Sequence, residues 1–112
     1  MNLLKETLEA LAEAGKTIDD VVWVGCNAFE IPIDLFMKLS NREYDNSYGS
    51  PEVAIDLKVV GDGWMLQRGE YDGLEWWDFI TIPERPKECK NVNRVIVNEN
   101  ETGWECLEKF TV

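Results

Sequence analysis

The carboxylates in the middle of this 112-residue chain are its most conspicuous chemical groups. Nine of them stand against two bases, Lys58 and Arg68, so this segment holds a net −7 of the formal charge of −11. Neighbours across two strands lie about 5 Å apart, so carboxylates on a sheet could imitate DNA, which carries one charge per ~1.7 Å of axis. Such a surface attracts a basic nucleic-acid-binding protein, whereas the plainer interpretation is a solvated face that keeps the chain soluble. The nine acids are Glu43, Asp45, Glu52, Asp56, Asp62, Glu70, Asp72, Glu75 and Asp78.

Aromatic residues among these acids raise a second chemistry, carbohydrate binding or glycoside hydrolysis. Tyr71, Trp76 and Trp77 stand between acids of the same segment. A glycosidase needs two carboxyl groups about 5 to 9 Å apart, one of them a general acid with a raised pKa. Paired acids alone do not define that geometry, and adjacent Trp76 and Trp77 on a strand point to opposite faces. We therefore predict a protein that binds rather than an enzyme.

Metal and cofactor sites are predicted to be absent. The chain has no His, and Cys26, Cys89 and Cys106 are too scattered to supply four zinc ligands. No glycine pattern matches a P-loop or a dinucleotide-binding fingerprint. General bases and activated nucleophiles at neutral pH usually require His. The sequence therefore predicts no catalytic residue, no metal and no cofactor.

Size and charge restrict the partners. A chain of 112 residues, 45% of them hydrophobic, predicts a single domain over residues 1–112. The net charge repels nucleic acid and anionic membranes, and no apolar run is long enough to span a bilayer. An odd number of cysteines, with no apolar leader after Met1, favours the reducing cytoplasm.

The first half of the chain predicts two helices and a hairpin. Apolar residues recur at helical spacing within residues 2–14, and Gly15 is placed to end this helix. β-branched and aromatic residues then predict strands at 21–25 and 29–31, and Pro32 suits the first position of a second helix that ends near 41–43. On the first helix the expected apolar face is Leu4, Leu8, Leu11 and Ala12, and the expected wet face is Glu6, Glu9 and Glu13.

Alternation with a period of two predicts a three-stranded meander in the second half. Short turns at 61–63 and 70–73 join the strands, which must therefore be antiparallel neighbours. The fold class is α+β, with two helices packed on one face of a mostly antiparallel sheet. The three strands are expected at residues 53–60, 64–68 and 74–82.

The segment 83–112 is harder to place. It begins with a polar connection that holds Pro83 and Pro86, followed by a candidate strand at 94–97. The remainder fits a docked strand or a helical turn equally. Its apolar residues are Trp104, Leu107 and Phe110.

A predicted loop at 44–51 carries two tyrosines, Tyr44 and Tyr48. Aromatic and polar residues are enriched at interface hot spots, but buried rings that pin a loop give the same composition, so both interpretations stay open. If loop and meander act together, the expected partner-binding residues are Tyr44, Asp45, Tyr48, Asp56, Glu70, Tyr71, Asp72, Glu75 and Asp78.

Three stretches resemble a known group of proteins: YDNSYG at 44–49, AIDLKVVG at 54–61 and WMLQRGEYDGLEWWDF at 64–79. Over most of residues 1–86 the chain resembles small acidic proteins encoded by phages, prophages and integrative elements of Gram-positive bacteria. That group has no agreed activity. The resemblance therefore implies a genomic context and the cytoplasm of a bacterial host, and it transfers no catalytic residue.

Charge and context together favour one function over two others. We hypothesise a mobile-element accessory protein that binds a basic, nucleic-acid-binding host protein, for example a CRISPR nuclease or another defence enzyme, and modulates or inhibits it. The alternative is a homo-oligomeric structural or assembly module whose charge only solvates it. A small enzyme acting on carbohydrate is the least favoured.

Overall fold

The computed structural model describes residues 1–46, 49–96 and 106–112 and places two helices on one face of a five-stranded sheet. The helices and strands are α1 (Leu3–Glu13), β1 (Val21–Gly25), β2 (Glu30–Ile31), α2 (Ile33–Ser40), β3 (Lys58–Gly61), β4 (Trp64–Tyr71) and β5 (Leu74–Thr81). The strands lie in the order β2-β1-β3-β4-β5, and each pair is antiparallel. The predicted α+β class is confirmed, and β3, β4 and β5 form the predicted meander.

One row of residues across the sheet forms the centre of the core. Val24, Val59 and Leu66 are register partners on β1, β3 and β4, and all three are fully buried. Leu11 of α1 and Phe36 of α2 pack against this row, which defines the inner face of the sheet. The outer face carries the alternate residues and has no helix on it among the described residues. Burial of one face is what makes the hydrophobic effect favour this two-layer arrangement.

Trp64 and Trp77 extend the core along the inner face of β4 and β5. The ring of Trp64 lies over Gly61, where an added Cβ would meet the ring carbon Cε2 at 2.0 Å. It also stacks on Phe79, with the ring centroids 5.7 Å apart. Gly61 is therefore required because any side chain would occupy the space of the indole.

The helix α1 buries a different face from the one predicted. Its start is capped by Asn2, whose Oδ1 accepts a hydrogen bond from the Lys5 backbone N–H at 2.9 Å, and Gly15 ends it at a φ of +74° as expected. The residues that meet the core are Leu3, Thr7, Ala10 and Leu11. Of the predicted apolar face Leu11 is buried and Leu4 is half-buried, whereas Leu8 and Ala12 are exposed. The helix is rotated so that Glu6 and Thr7 reach polar groups of the sheet, and the placement of Glu6 on the wet face was wrong.

Two strand boundaries also differ from the prediction. Residues 53–57 do not extend β3, because Leu57 N–H bonds to the Ala54 carbonyl in a turn. β4 instead continues through Glu70 and Tyr71, so the turn shrinks to Asp72 and Gly73 with φ of 51° and 89°. Positive φ at both positions matches the right-handed twist of a tight hairpin. In α2, Pro32 occupies the cap rather than the first helical position.

The last residues of the tail fold back on residues 91–94. A bridge pairs Val92 with Thr111, and the Asn93 N–H donates to the Phe110 carbonyl at 2.9 Å. Phe110 is buried, and the guanidinium of Arg94 lies 4.5 Å from its ring centroid. Residues 94–96 are not a strand, whereas Val97 and Trp104 lie outside the described residues. Leu107–Phe110 forms a 3-10 turn, in agreement with the helical alternative for the tail.

Substitution of two leucines on α1 tests the observed rotation of this helix. Leu11→Ala should lower the free energy of unfolding by about 2–5 kcal/mol, because it opens a cavity beside the central row. Leu8→Ala on the same helix should cost less than about 1 kcal/mol, because 39% of its surface is already exposed. Chemical denaturation followed by tryptophan fluorescence measures both, and equal losses would contradict the rotation.

Candidate protein-binding site

A buried ion network joins α1, the loop after α2, β4 and β5. The guanidinium of Arg68 on β4 contacts Glu6 of α1 at 2.8 Å and Glu75 of β5 at 3.2 Å. The three side chains expose 3%, 12% and 2% of their surface. The Tyr44 hydroxyl donates to Glu6 and accepts from Arg68 Nη2 at 3.1 Å. One cation therefore links the first helix, the loop after α2 and the two longest strands.

The carboxylate of Glu75 fixes the loop that precedes β3. Its Oε2 accepts from the Glu52 backbone N–H at 2.8 Å, and its Oε1 accepts from the Val53 N–H at 3.3 Å. The Glu75 N–H itself donates to the Asn46 carbonyl at 3.1 Å. A buried carboxylate requires such partners, because an unpaired charge inside a protein is strongly destabilising. Both ends of the 44–53 loop are thereby attached to β5.

Trp77 packs against the guanidinium of Arg68. The Arg68 guanidinium lies 4.7 Å from its ring centroid, a cation–π arrangement. The Trp77 Nε1–H donates to Thr7 Oγ1 at 3.0 Å, and the Thr7 hydroxyl donates to the Leu3 carbonyl at 2.7 Å. Arg68 Nε has no hydrogen-bond partner among the described residues. The ring of Tyr44 also lies near the guanidinium, with its centroid 5.8 Å from Cζ.

The network shifts the pKa of two of its members. Burial, together with the hydrogen bond to Glu6, raises the pKa of Tyr44 to about 12, although the nearby Arg68 acts in the opposite direction. For Arg68, burial lowers the pKa, but the hydrogen bonds to Glu6 and Tyr44 outweigh it and leave the pKa above its usual value. Tyr44 is therefore a neutral donor and Arg68 a cation throughout the physiological range.

Five exposed carboxylates surround the outer side of this network, and we call them the acidic tip. Glu70 and Asp72 belong to the β4–β5 hairpin, and Glu70 pairs across the strands with Glu75. Asp45 and Glu52 belong to the attached loop, where the Asp45 N–H donates to Glu52 Oε2 at 2.8 Å. Tyr71, with 73% of its surface exposed, stands between Glu70 and Asp72 in the chain, in phase with Gly69 of the outer face. The members of the tip are Glu43, Asp45, Glu52, Glu70 and Asp72.

The cations beside the tip are few. The Met1 ammonium contacts Glu43 Oε2 at 2.9 Å, and Arg42 is exposed next to it. The charge of Arg68 is already paired with the buried carboxylates of Glu6 and Glu75. The tip is a negatively charged surface with an exposed aromatic ring, and its loop is held to β5 by the carboxylate and the backbone N–H of Glu75.

The structure separates the other predicted site residues. Glu75 is buried rather than on the surface, and Tyr44 uses its ring and hydroxyl inside the network, which agrees with the loop-pinning interpretation. Asp78 lies on the outer face, where its Oδ1 accepts from Trp76 Nε1 at 2.8 Å, and Asp56 is exposed in the 54–57 turn. The carboxylates therefore form no row along one sheet face. Tyr48 lies outside the described residues.

The outer face carries the second tryptophan of the predicted aromatic cluster. Trp76 and Gly69 are register partners, and a Cβ on Gly69 would come within 2.5 Å of Trp76 Nε1. The indole covers the bare backbone of Gly69 and is held there by Asp78. Trp76 and Trp77 thus point to opposite faces as expected, and their carboxylate neighbours do not converge on a common space.

A cavity of about 410 Å³ opens between α2 and the 52–57 segment. Its floor is apolar, with Leu3, Ile31 and Phe36, and its rim carries Arg42, Glu43 and Glu52. Within the described part of the chain, no three Cys, Asp or Glu side chains are grouped so that they could hold a metal ion. Cys26, Cys89 and Cys106 form no disulfide. The cavity adjoins the acidic tip through Glu43 and Glu52.

Sequence patterns missed two members of the network, Glu6 and Arg68. They are 62 residues apart, and nothing local distinguishes them from solvated charges. A weak indication existed, because Arg68 occupies a position on β4 in phase with Trp64 and Leu66, which face the core. Such a cation requires buried acids, and alternation on β5 places Glu75 on the same face.

No family model matches this sequence, and neither the curated proteins nor the solved structures include a similar chain. Neither described helix has the length and apolar character that a bilayer span needs. The fold and site define a class, a small two-layer α+β domain with an acidic tip. The resemblance to proteins of mobile elements stays a prediction.

Removal of the buried cation should strongly lower the free energy of unfolding. Arg68→Met leaves Glu6 and Glu75 without their shared partner and should lower the free energy of unfolding by about 3–5 kcal/mol. Lys5→Met removes an exposed cation from α1 and should change it by less than about 0.5 kcal/mol. Chemical denaturation measures both variants. Equal, small losses would show that the network contributes little to stability.

The raised pKa of Tyr44 predicts a pH dependence at the alkaline end. The phenol ionises near its ordinary value of 10.0 in the unfolded chain and near 12 in the folded protein. The folded state therefore binds more protons between these values, so the Tyr44 contribution is complete below pH 10 and is lost as pH rises through about 12. Tyr44→Phe should make the fall in unfolding free energy over this range less steep, and an unchanged slope would contradict the burial of the hydroxyl.

Proposed function

We propose that this protein binds a basic, nucleic-acid-binding protein in the cytoplasm of a bacterial host and modulates or inhibits it, as an accessory protein of a mobile element. The observation that carries the proposal is the acidic tip, five exposed carboxylates beside the exposed ring of Tyr71. A protein that binds nucleic acid presents cations spaced to meet phosphates, and a group of carboxylates is complementary to them.

The tip is suited to binding because its shape is fixed before a partner arrives. The β4–β5 hairpin ends in a two-residue turn, and the loop beside it is attached to Glu75 through three hydrogen bonds, two to its carboxylate and one from its backbone N–H. A rigid surface loses little conformational entropy on association, so more of the interaction energy appears as affinity. Tyr71 supplies an aromatic anchor of the kind that is enriched at hot spots.

The mechanism differs in detail from a line of carboxylates along a sheet. A compact tip at one end of the molecule would enter a cationic groove end-on, with the hairpin turn leading. The net charge of −11 adds long-range attraction that accelerates the encounter, and the contacts of the tip determine where the complex settles. Nucleic acid would then be excluded because the two ligands share the same cations.

A pair of variants with the same change in net charge tests this function. Glu70→Lys with Asp72→Asn alters the tip, and Asn is tolerated at the positive φ of position 72. Glu13→Lys with Asp19→Asn alters exposed acids at the other end of α1. Affinity capture from a Gram-positive lysate at low and high salt should recover a basic nucleic-acid-binding protein with the wild type, and recovery should fall at high salt.

Titration of the purified partner then separates site from charge. We expect the tip variant to weaken binding at least tenfold and to restore nucleic-acid binding by the partner, while the control variant stays within about threefold of the wild type. Equal weakening by both variants would show that net charge, and not the position of the acids in the tip, determines binding. Recovery of the bait alone, at a mass above the monomer, would favour the assembly module and contradict the proposal.

A further inference from the structure

The two edges of the sheet differ in how they are protected. The edge strand β2 has two residues and is followed by Pro32, so it offers little backbone to another chain. The opposite edge, β5, has eight residues, contains no proline and shows no bulge in its register with β4. Long edge strands of this kind are usually covered, shortened or interrupted, because their free backbone groups pair readily with further strands.

The register fixes which backbone groups of β5 point outwards. In an antiparallel pair, alternate residues bond to the neighbour, and the others direct their N–H and C=O groups away from it. Two contacts establish the phase: Ile82 N–H donates inwards to the Gly63 carbonyl at 2.8 Å, and Glu75 N–H donates outwards to Asn46 of the loop. Trp77, Phe79 and Thr81 share the phase of Glu75, so their backbone groups face the open edge.

These outward groups have no partner in the described structure. Among the described residues, the loop bonds to the edge backbone at Glu75, and the N–H groups of Trp77, Phe79 and Thr81 make no hydrogen bond to another element. Phe79 and Thr81 are also exposed, so the edge is accessible to another chain. The open stretch of five residues, Trp77–Thr81, is sufficient for a short added strand, since strands commonly have about five residues.

We propose that the Trp77–Thr81 edge of β5 receives an extended segment of the protein partner as a sixth, added strand. The side chains beside the edge specify its chemistry. Phe79 offers an apolar contact on the inner face, and Asp78 offers a carboxylate on the outer face, where an opposite strand lies about 5 Å away. The matching segment alternates apolar and basic residues, as required by the period of two of a strand.

Charge selects this segment over a second copy of the chain. Each copy carries −11, so edge-to-edge pairing of two copies brings together two strongly negative molecules, each with Asp78 at its edge. A basic segment meets attraction from the same groups. The basic character of the partner rests on the proposed function, whereas the availability of the edge does not.

Amide hydrogen exchange of the wild-type protein tests the edge directly. The probe is a short blocked peptide that alternates Val and Lys, and its matched control alternates Val and Glu. Without peptide, the amides of Trp77, Phe79 and Thr81 should exchange faster than those of Trp76, Asp78 and Ile80, which face β4. The basic peptide should slow the first three amides at least tenfold and the acidic peptide should leave them unchanged.

A pair of substitutions isolates the backbone donor. Phe79→Ala and Phe79→Pro both remove the ring, but only proline removes the outward N–H, a change that edge strands tolerate because the bonds to β4 are kept. The alanine variant should bind the basic peptide at least tenfold more tightly than the proline variant. The exchange of Asp78 and Ile80 amides confirms that the β4–β5 pair is intact in both.

Three outcomes would overturn the inference: unchanged exchange at saturating basic peptide, equal protection by the acidic peptide, or equal binding by the two variants. Protection that rises with protein concentration alone would assign the edge to a second copy and would also overturn it. If the peptide does not bind the edge but the tip variant still weakens capture of the partner, only this inference is rejected. If the tip variant binds the partner as well as the wild type does while the basic peptide protects the edge, the proposed function is rejected instead.

Discussion

The architecture depends on one guanidinium that is taken out of water. Arg68 has 3% of its side chain exposed and makes its contacts with Glu6, Tyr44, Glu75 and Trp77. The cost of moving three charges into a protein interior is several kcal/mol per ion, and only close geometry with additional hydrogen bonds recovers it. The helix, the loop and the hairpin must therefore all adopt their observed positions at once. Partial assembly leaves an unpaired charge in an apolar setting.

The same requirement connects the interior to the surface. Glu75 neutralises part of the Arg68 charge and holds the Glu52 and Val53 amides, so the loop that carries two acids of the tip follows β5. Like charges at the tip repel one another, and an unattached loop would move away from the hairpin. A buried network that opposes this repulsion explains how the carboxylates of the tip can stay together on a small domain.

Local sequence patterns predicted the positions of the helices and strands better than they predicted which side of each is buried. The β-branched run at Val21–Gly25 and the turn within 70–73 depend on neighbouring residues alone; the strand was correct, and the turn was found at Asp72 and Gly73 of the predicted range. The inward face of α1 depends on where Glu6 finds a cation 62 residues away, which a count of leucines cannot indicate. Alternation also suggested a strand at 53–57, although a turn that exposes Ile55 satisfies the same pattern.

For the candidate site, too, the sequence predicted some features and missed others. Acidic composition correctly indicated a concentration of carboxylates, and the exposure of Glu70, Tyr71 and Asp72 follows from their position beside a tight turn. The roles of Tyr44 and Glu75 could not be derived, because composition does not distinguish a carboxylate in solvent from one that pairs with a buried arginine. A single sequence does not show which charged residues, far apart along the chain, pair in the folded protein.

The docked tail has a consequence for how the molecule melts. Phe110 is buried beside the half-buried Val92 and the exposed Arg94, and it does not belong to the cluster that contains Leu11, Leu66 and Trp77; residues 83–90 that precede it are exposed. A terminal segment outside the main core need not lose its structure together with the sheet, so heating would release the terminal residues at a lower temperature than the sheet. A calorimetric enthalpy smaller than the van't Hoff value cannot arise this way. The expected signature is a calorimetric enthalpy larger than the van't Hoff value, the mark of a domain with a loosely coupled appendix.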